Sequence, residues 1–137
     1  MTDIAGALAG FPADQVRYGA DGLVAAVVQD EADGRVLMVA WQDAEALAAT
    51  LTTGQAHFHS RSRGRLWRKG EESGNVQLVK SIHLDCDEDT ILLKVEQIGG
   101  AACHEGYSSC FFRRVTPEGL LVEGQRIFDP AKVYGKK

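Results

Sequence analysis

The sequence predicts an α+β fold: one antiparallel, strand-rich domain over residues 1–137 with one or two helices. Three observations carry that expectation. Short segments rich in Val, Leu and Ile recur between Gly- and Asp-containing turns, at 23–29, 35–41 and 91–98. One segment, 44–52, has helical spacing, with a capping residue before it and a glycine after it. Composition is ordinary for a globular domain, 45% hydrophobic and 25% charged, and 137 residues suffice for a sizeable core.

Taken in order, residues 1–19 read as a short helix or a loose arm, because Phe11-Pro12 and several glycines interrupt any long period. Residues 23–29 and 35–41 form a hairpin, with its loop at Asp30-Glu31-Ala32-Asp33-Gly34. Asp43 is the N-cap candidate for a helix over 44–52. Ala46, Leu47, Thr50 and Leu51 share its inner face, and Gly54 stops it. Residues 55–60 alternate as a strand, Ala56, Phe58 and Ser60 against Gln55, His57 and His59. Both histidines read as partly exposed strand residues rather than ligands.

Further on, residues 75–84 read as a strand. Val76, Leu78, Ile82, Leu84 and Cys86 share one face by the period of two, with Lys80 the exception. Thr90 opens the next strand, and Gly99-Gly100 closes it. Residues 111–115 and 120–122 are two further strands, followed by a frayed tail at Gly135-Lys136-Lys137.

Several classes are excluded. Net charge is −4, so nucleic acid is not an expected partner. No apolar run reaches membrane-spanning length, and the first residues lack a signal-peptide pattern, so no membrane is expected. Three cysteines, an odd number, suit a reducing compartment better than a disulfide framework. The expected location is the cytoplasm.

Two stretches carry chemistry. Residues 60–70 hold five cationic side chains and no acid, interleaved with Ser60, Ser62 and Gly64. Guanidinium forks bind paired phosphate oxygens, and glycine lets backbone N–H groups approach them. A solvated basic surface and a nucleic-acid contact remain alternatives. Trp67 either stacks on a base or fills the core.

The second stretch is Asp85-Cys86-Asp87-Glu88-Asp89, four carboxylates and one thiol in five residues. Carboxylates suit magnesium and thiolates suit zinc. If the strand runs on, Asp85, Asp87 and Asp89 lie on one face and Cys86 on the other. The alternative is a polar turn. The remaining cysteines, Cys103 and Cys110, fall in one loop with His104 and Glu105. Three thiolates and no evident fourth ligand favour a catalytic zinc over a structural one. Three buried apolar thiols are the other reading. His104 is the acid–base candidate, or else a loop histidine bonded to backbone.

In order along the chain stand Ser60-Arg61-Ser62-Arg63-Gly64, Leu66-Trp67, Lys69-Gly70-Glu71, Ser73-Gly74-Asn75, Asp85-Cys86-Asp87 with Asp89, Ala102-Cys103-His104 with Gly106, and Ser109-Cys110-Phe111. This set resembles the phosphoribosyl-AMP cyclohydrolases of histidine biosynthesis, over roughly residues 23–112. The resemblance implies a cytoplasmic hydrolase that opens the adenine ring of 1-(5-phosphoribosyl)-AMP between N1 and C6. It implies an intertwined homodimer with one zinc per subunit. Cys86, Cys103 and Cys110 would hold that zinc, with ligands drawn from both subunits. Asp85, Asp87 and Asp89 would hold magnesium. Two stretches depart from the family's pattern: Trp41-Gln42-Asp43 replaces aromatic-Met-Asn, and His59 stands where an aromatic is common. The chain is expected to be the single-function form, without a fused pyrophosphohydrolase domain.

On this reading His104 transfers the proton, and Arg61, Arg63, Lys69 and the Ser73-Gly74-Asn75 turn hold two phosphates. Trp67 stacks near the base or braces the loop. Two rivals remain. A zinc nucleobase deaminase lacks its His-x-Glu and Cys-x-x-Cys signature here. A zinc-stabilised nucleic-acid-binding module gains from the Arg-Trp stretch and loses from the net negative charge.

Overall fold

A computed structural model describes residues 10–134. The core element is a four-stranded sheet in the order β2-β1-β6-β5, where β1 is Val24–Asp30, β2 Val36–Gln42, β5 Gln77–Leu84 and β6 Thr90–Gln97. Helix α1, Ala44–Thr53, follows β2. The ribbon β3–β4, His57–Ser60 with Arg65–Arg68, packs beside it, and α1 rests mainly on β3. A second ribbon, β7–β8, pairs Arg113–Thr116 with Gly119–Val122, and a short α2, Pro130–Tyr134, ends the described chain.

Every strand pair is antiparallel except β1–β6, which is parallel. Parallel neighbours cannot be joined by a tight turn. Here β2, α1, the β3–β4 ribbon and β5 all intervene between them in sequence. That long excursion carries the basic stretch and delivers the acidic cluster to the sheet.

The core lies on one face of the sheet. Val24, Ala26 and Val28 of β1 and Ile91, Leu93 and Val95 of β6 alternate inward, and Leu47, Phe58 and Ala102 close over them. Phe58 is wholly buried, and truncating such a ring costs about 3–5 kcal/mol. In β2 the register shifts opposite Val28 and Gln29, so that neighbouring Leu37 and Met38 are both buried.

A second bulge corrects the expected face of β5. The register shifts between Val79 and Ser81, leaving Lys80 as the extra residue. Before it Gln77 and Val79 are buried, while Leu78 is half-exposed; after it Ile82 and Leu84 pack on the core. The exceptional Lys80 thus marks a change of face within the strand.

Helix α1 forms as its caps dictate. Asp43 Oδ1 accepts the Ala46 N–H at 2.8 Å, and Gly54 ends the helix at φ 73°. Ala46, Leu47 and Thr50 are buried, with Leu51 packed at the edge. Thr50 Oγ1 in turn accepts the His57 N–H at 3.0 Å, tying the helix to β3.

Other expectations shift. Strand β3 begins at His57 rather than Gln55. Strand β4 was not expected within the basic stretch, nor was α2 near the tail. The only regular structure in the described part of residues 1–19 is one 3₁₀ turn at Ala13–Gln15. The expected frayed tail, 135–137, lies outside the described residues.

Candidate active site

An open cleft of about 1340 Å³ lies between the β3–β4 ribbon, β2 and the cysteine loop. The ribbon is a hairpin with its turn at 61–64, so the basic stretch is folded back on itself. Arg61, Arg63, Trp67, Lys69 and Ser73 line the cleft. Gly74 and Asn75 do not. They shape the adjoining turn, in which Asn75 N–H donates to Ser73 Oγ at 3.1 Å and Asn75 O accepts from Gln97 Nε2 at 2.8 Å. Gly70 is required there: at φ 86°, an added Cβ would lie 2.5 Å from the backbone of Asn75 and Val76.

The cations of this stretch divide by partner. Arg65 is committed to Glu71 at 2.9 Å, and Glu71 also accepts the Arg68 N–H at 2.9 Å. Those bonds, Arg65 first, hold the Glu71 carboxyl below its usual range. Arg61 lies over the Trp41 ring, 4.8 Å from its centroid. Among the described residues neither Arg61 nor Arg63 has a carboxylate partner. Both remain free to meet an anion.

Lys69 has a different place from the one its sequence neighbours suggest. It is 7% exposed and lacks a carboxylate partner among the described residues. Its Nζ sits 5.9 Å from the Trp67 ring, and its nearest anionic candidates are Cys110 and Cys103. Burial lowers the Lys69 pKa, and the two thiols oppose that. Trp67 itself packs on Phe58, with centroids 5.3 Å apart, so it braces the ribbon while lining the cleft.

The cysteine loop turns tightly at Cys103. Gly106 N–H donates to Cys103 O at 2.9 Å, and Glu105 N–H donates to Cys103 Sγ at 3.4 Å. Cys110 is anchored by its N–H on Leu37 O at 2.7 Å. Close packing around its sulfur, then the adjacent Cys103, push the Cys110 thiol up to about 12, although one side stays open to solvent. His104 and Glu105 are exposed on the same cleft wall.

Cys86 lies elsewhere. Strand β5 ends at Leu84, and Asp85 to Asp89 form a turn closed by Asp85 N–H on Thr90 O at 3.0 Å. The strand does not run on, so period-two placement fails there. The three aspartates nevertheless converge, with ligand oxygens within 4.8 Å of one another and all three residues exposed. Asp85 Oδ1 accepts from the N–H groups of Asp89 and Thr90 at 3.0 and 3.1 Å. Those bonds and its neighbouring carboxyls outweigh desolvation and hold Asp85 low. Asp87 is raised, first by its hydrogen bond to Asp89 and then by Asp85.

This turn sits where β1 begins and β2 ends, since Ala25 pairs with both Thr90 and Trp41. Cys110 is held at the opposite end of β2, on Leu37. Four residues at about 3.4 Å each separate the two ends by roughly 14 Å. Within one chain Cys86 therefore stands apart from Cys103 and Cys110.

A second, smaller recess of about 460 Å³ joins Arg17, Tyr18, Asp87 and Asp89 to Trp41, which also lines the main cleft. Two cleft residues, Trp41 and His59, and Asp43 behind His59 were not read from the sequence as site residues. His59 Nδ1 lies 3.2 Å from Asp43 Oδ2. The departure of the Trp41-Gln42-Asp43 stretch and of His59 from the expected pattern was the signal.

A strand-rich scaffold that gathers free arginines, a buried lysine, the Cys110 thiol and an exposed histidine around one cleft defines an enzyme. The family model for phosphoribosyl-AMP cyclohydrolase matches residues 38–112. Proteins named phosphoribosyl-AMP cyclohydrolase are similar over most of their length. That of Desulfotalea psychrophila is 59% identical over 117 residues, 85% of this chain and 92% of that protein. That of Pelotomaculum thermopropionicum is 55% identical over 128 residues, 93% and 98% of the two chains. That of Nitrosospira multiformis is 53% identical over 124 residues, 90% and 95%. The chain belongs to the phosphoribosyl-AMP cyclohydrolase family, hydrolases of histidine biosynthesis.

Proposed function

We propose that this protein is a cytoplasmic, zinc- and magnesium-dependent hydrolase that opens the N1–C6 bond of 1-(5-phosphoribosyl)-AMP as a homodimer. One observation carries the reading: Cys110, Lys69 and His104 border the same cleft as the unpaired arginines Arg61 and Arg63. Thiol chemistry and phosphate recognition thus meet in one cleft of about 1340 Å³.

The donor set fits zinc. Cys103 Sγ accepts the Glu105 N–H at 3.4 Å, which fixes the position of the sulfur in the loop. Lys69 supplies the positive charge that a three-thiolate centre lacks. Cys86 would come from a second copy, because its own chain holds it at the far end of the sheet. Exposed Val115, Leu120, Leu121 and Val122 on the β7–β8 ribbon support such a partner, since an unpaired ribbon this apolar favours burial. Asp85, Asp87 and Asp89 offer the oxygen set magnesium prefers. Zinc held by the cysteines would acidify a water and polarise C6, and magnesium at the aspartates would offset phosphate charge.

The chain's own residues do the rest. Arg61 and Arg63 hold phosphates with their guanidinium forks. Trp67 braces the ribbon that carries them. His104, exposed beside Cys103, takes a proton from the attacking water and returns one to N1 as the ring opens. Lys69, buried beside the thiols, supplies positive charge to them rather than to the phosphates. Nucleic acid and membrane have no part in this reading; no helix among the described residues is long and apolar enough to cross a bilayer.

The test is spectrophotometric ring opening of phosphoribosyl-AMP, with and without a chelator. Turnover that the chelator abolishes and zinc restores is expected. Ring opening by thoroughly metal-stripped protein at the full rate would overturn the metal dependence. Tight, salt-dependent oligonucleotide binding without turnover would favour the nucleic-acid module instead.

A further inference from the structure

The strand β3 carries two histidines on the face opposite the buried Phe58, and they are treated differently. His57 is spent on structure: its Nδ1 lies 2.8 Å from Gln55 O, and its backbone bonds Thr50 and Gln42. His59 lines the cleft, and its Nδ1 lies 3.2 Å from Asp43 Oδ2. The side chains of His59 and Asp43 are 22% and 30% exposed.

Asp43 is itself held by the helix end. Its Oδ1 caps α1 by accepting the Ala46 N–H at 2.8 Å, leaving Oδ2 for the imidazole. A carboxylate fixed by a helix cap therefore sets the ring's orientation and tautomer: Nδ1–H donates to Asp43, and Nε2 is the free nitrogen. Nε2 has no partner among the described residues. Next in sequence come Ser60 and the turn bearing Arg61 and Arg63, in the same cleft wall. With a proton on each nitrogen the ring donates Nδ1–H to Asp43 and Nε2–H to an anion in the cleft.

We propose that Asp43 and His59 form a fixed carboxylate–imidazole pair that adds a phosphate-holding nitrogen, His59 Nε2, to the arginine turn of the cleft. His59 touches the substrate's phosphoryl oxygen, and Asp43 is a positioning residue acting through it. This rests on the proposed reading that the cleft takes a nucleotide bearing phosphates.

The readout is the split between KM and kcat in ring opening of phosphoribosyl-AMP. Loss of a charge-assisted hydrogen bond predicts a KM for His59→Ala raised about 10- to 100-fold, with kcat changed far less. His59→Gln places an amide N–H near the Nε2 position and recovers most of that loss. Asp43→Asn still caps the helix, so its melting temperature holds. It turns an amide donor toward Nδ1–H, frees the ring and raises KM by a smaller factor. A His59→Ala KM within about twofold of wild type overturns the proposal. So does a loss confined to kcat, or an Asp43→Asn KM equal to that of wild type.

Binding of 5′-AMP by calorimetry separates this claim from the reading it rests on. If wild type fails to open the ring yet binds AMP, and His59→Ala binds it about tenfold or more weakly, the pair stands and the assigned reaction falls. Equal AMP affinity in wild type and variant, or no AMP binding by wild type, overturns the pair.

Discussion

The amide of Glu105 donates to the sulfur of Cys103 at 3.4 Å, so the backbone fixes where that sulfur lies in the loop. Close packing, then Cys103, push the neighbouring Cys110 thiol up to about 12.

Zinc uptake should therefore release protons, because Cys110 is neutral in the metal-free protein at pH 7. Calorimetric titration in buffers of different ionisation enthalpy measures this. Cys110→Ser should release fewer protons and lose both zinc and turnover. Ring opening at the wild-type rate by zinc-free Cys110→Ser would refute the role.

The position of Cys86 predicts complementation. Cys86→Ser and Cys110→Ser are each expected to be inactive alone. Random reassortment of the two makes half the dimers mixed, each with one complete site of two, so activity should return to about a quarter of wild type. No recovery after confirmed subunit exchange would mean that the three sulfurs do not share a site across copies.

Lys69 predicts two effects of opposite sign. A buried cation without a carboxylate partner costs stability, so Lys69→Met should raise the melting temperature of the metal-free protein. The same change removes the charge facing the thiols and should weaken zinc binding about 10- to 100-fold in a chelator competition. Lys69→Arg should retain most of the affinity. Unchanged zinc affinity in Lys69→Met would return Lys69 to a purely structural role.

At the aspartate turn the sign follows from Asp87. Its raised value means that its charged form is disfavoured in the fold. The stability it gives is complete at acid pH, below its unfolded value, and is lost as pH rises through its folded value. Asp87→Asn should thus steady the metal-free turn at neutral pH and weaken magnesium binding. In wild type, magnesium affinity should fall with acid, as protons compete first at Asp87. Hydrogen exchange at Thr90 and a magnesium titration at pH 5 and 7 check both. Affinity independent of pH would remove Asp87 from the ligand set.

Much of the fold was legible in residues alone. The Asp43 cap and the Gly54 stop act within one turn of chain, and α1 ends one residue from where they place it. The Val/Ala run at 23–29 marked β1 to within one residue at each end, because that content is a local property of the chain. Alternation along β5 misled, because the bulge at Lys80 depends on how β6 pairs with it. Strand β4 hid within the basic stretch, since Arg65-Leu66-Trp67-Arg68 is only four residues long with an arginine at each end, and it forms a strand by pairing with β3.

The site divides in the same way. The chain itself determined which groups exist: three thiols, three clustered aspartates and a run of arginines with few acids near it. Those are matters of composition and short spacing, and a tight turn brings the aspartates together without help from the rest of the fold. Only the tertiary structure decided that Lys69 faces sulfur rather than solvent, that Asp43 reaches His59, and that Cys86 stands a strand's length from Cys110. Each depends on contacts between segments distant along the chain, whose geometry is set by the packing of the whole sheet and not by any local preference.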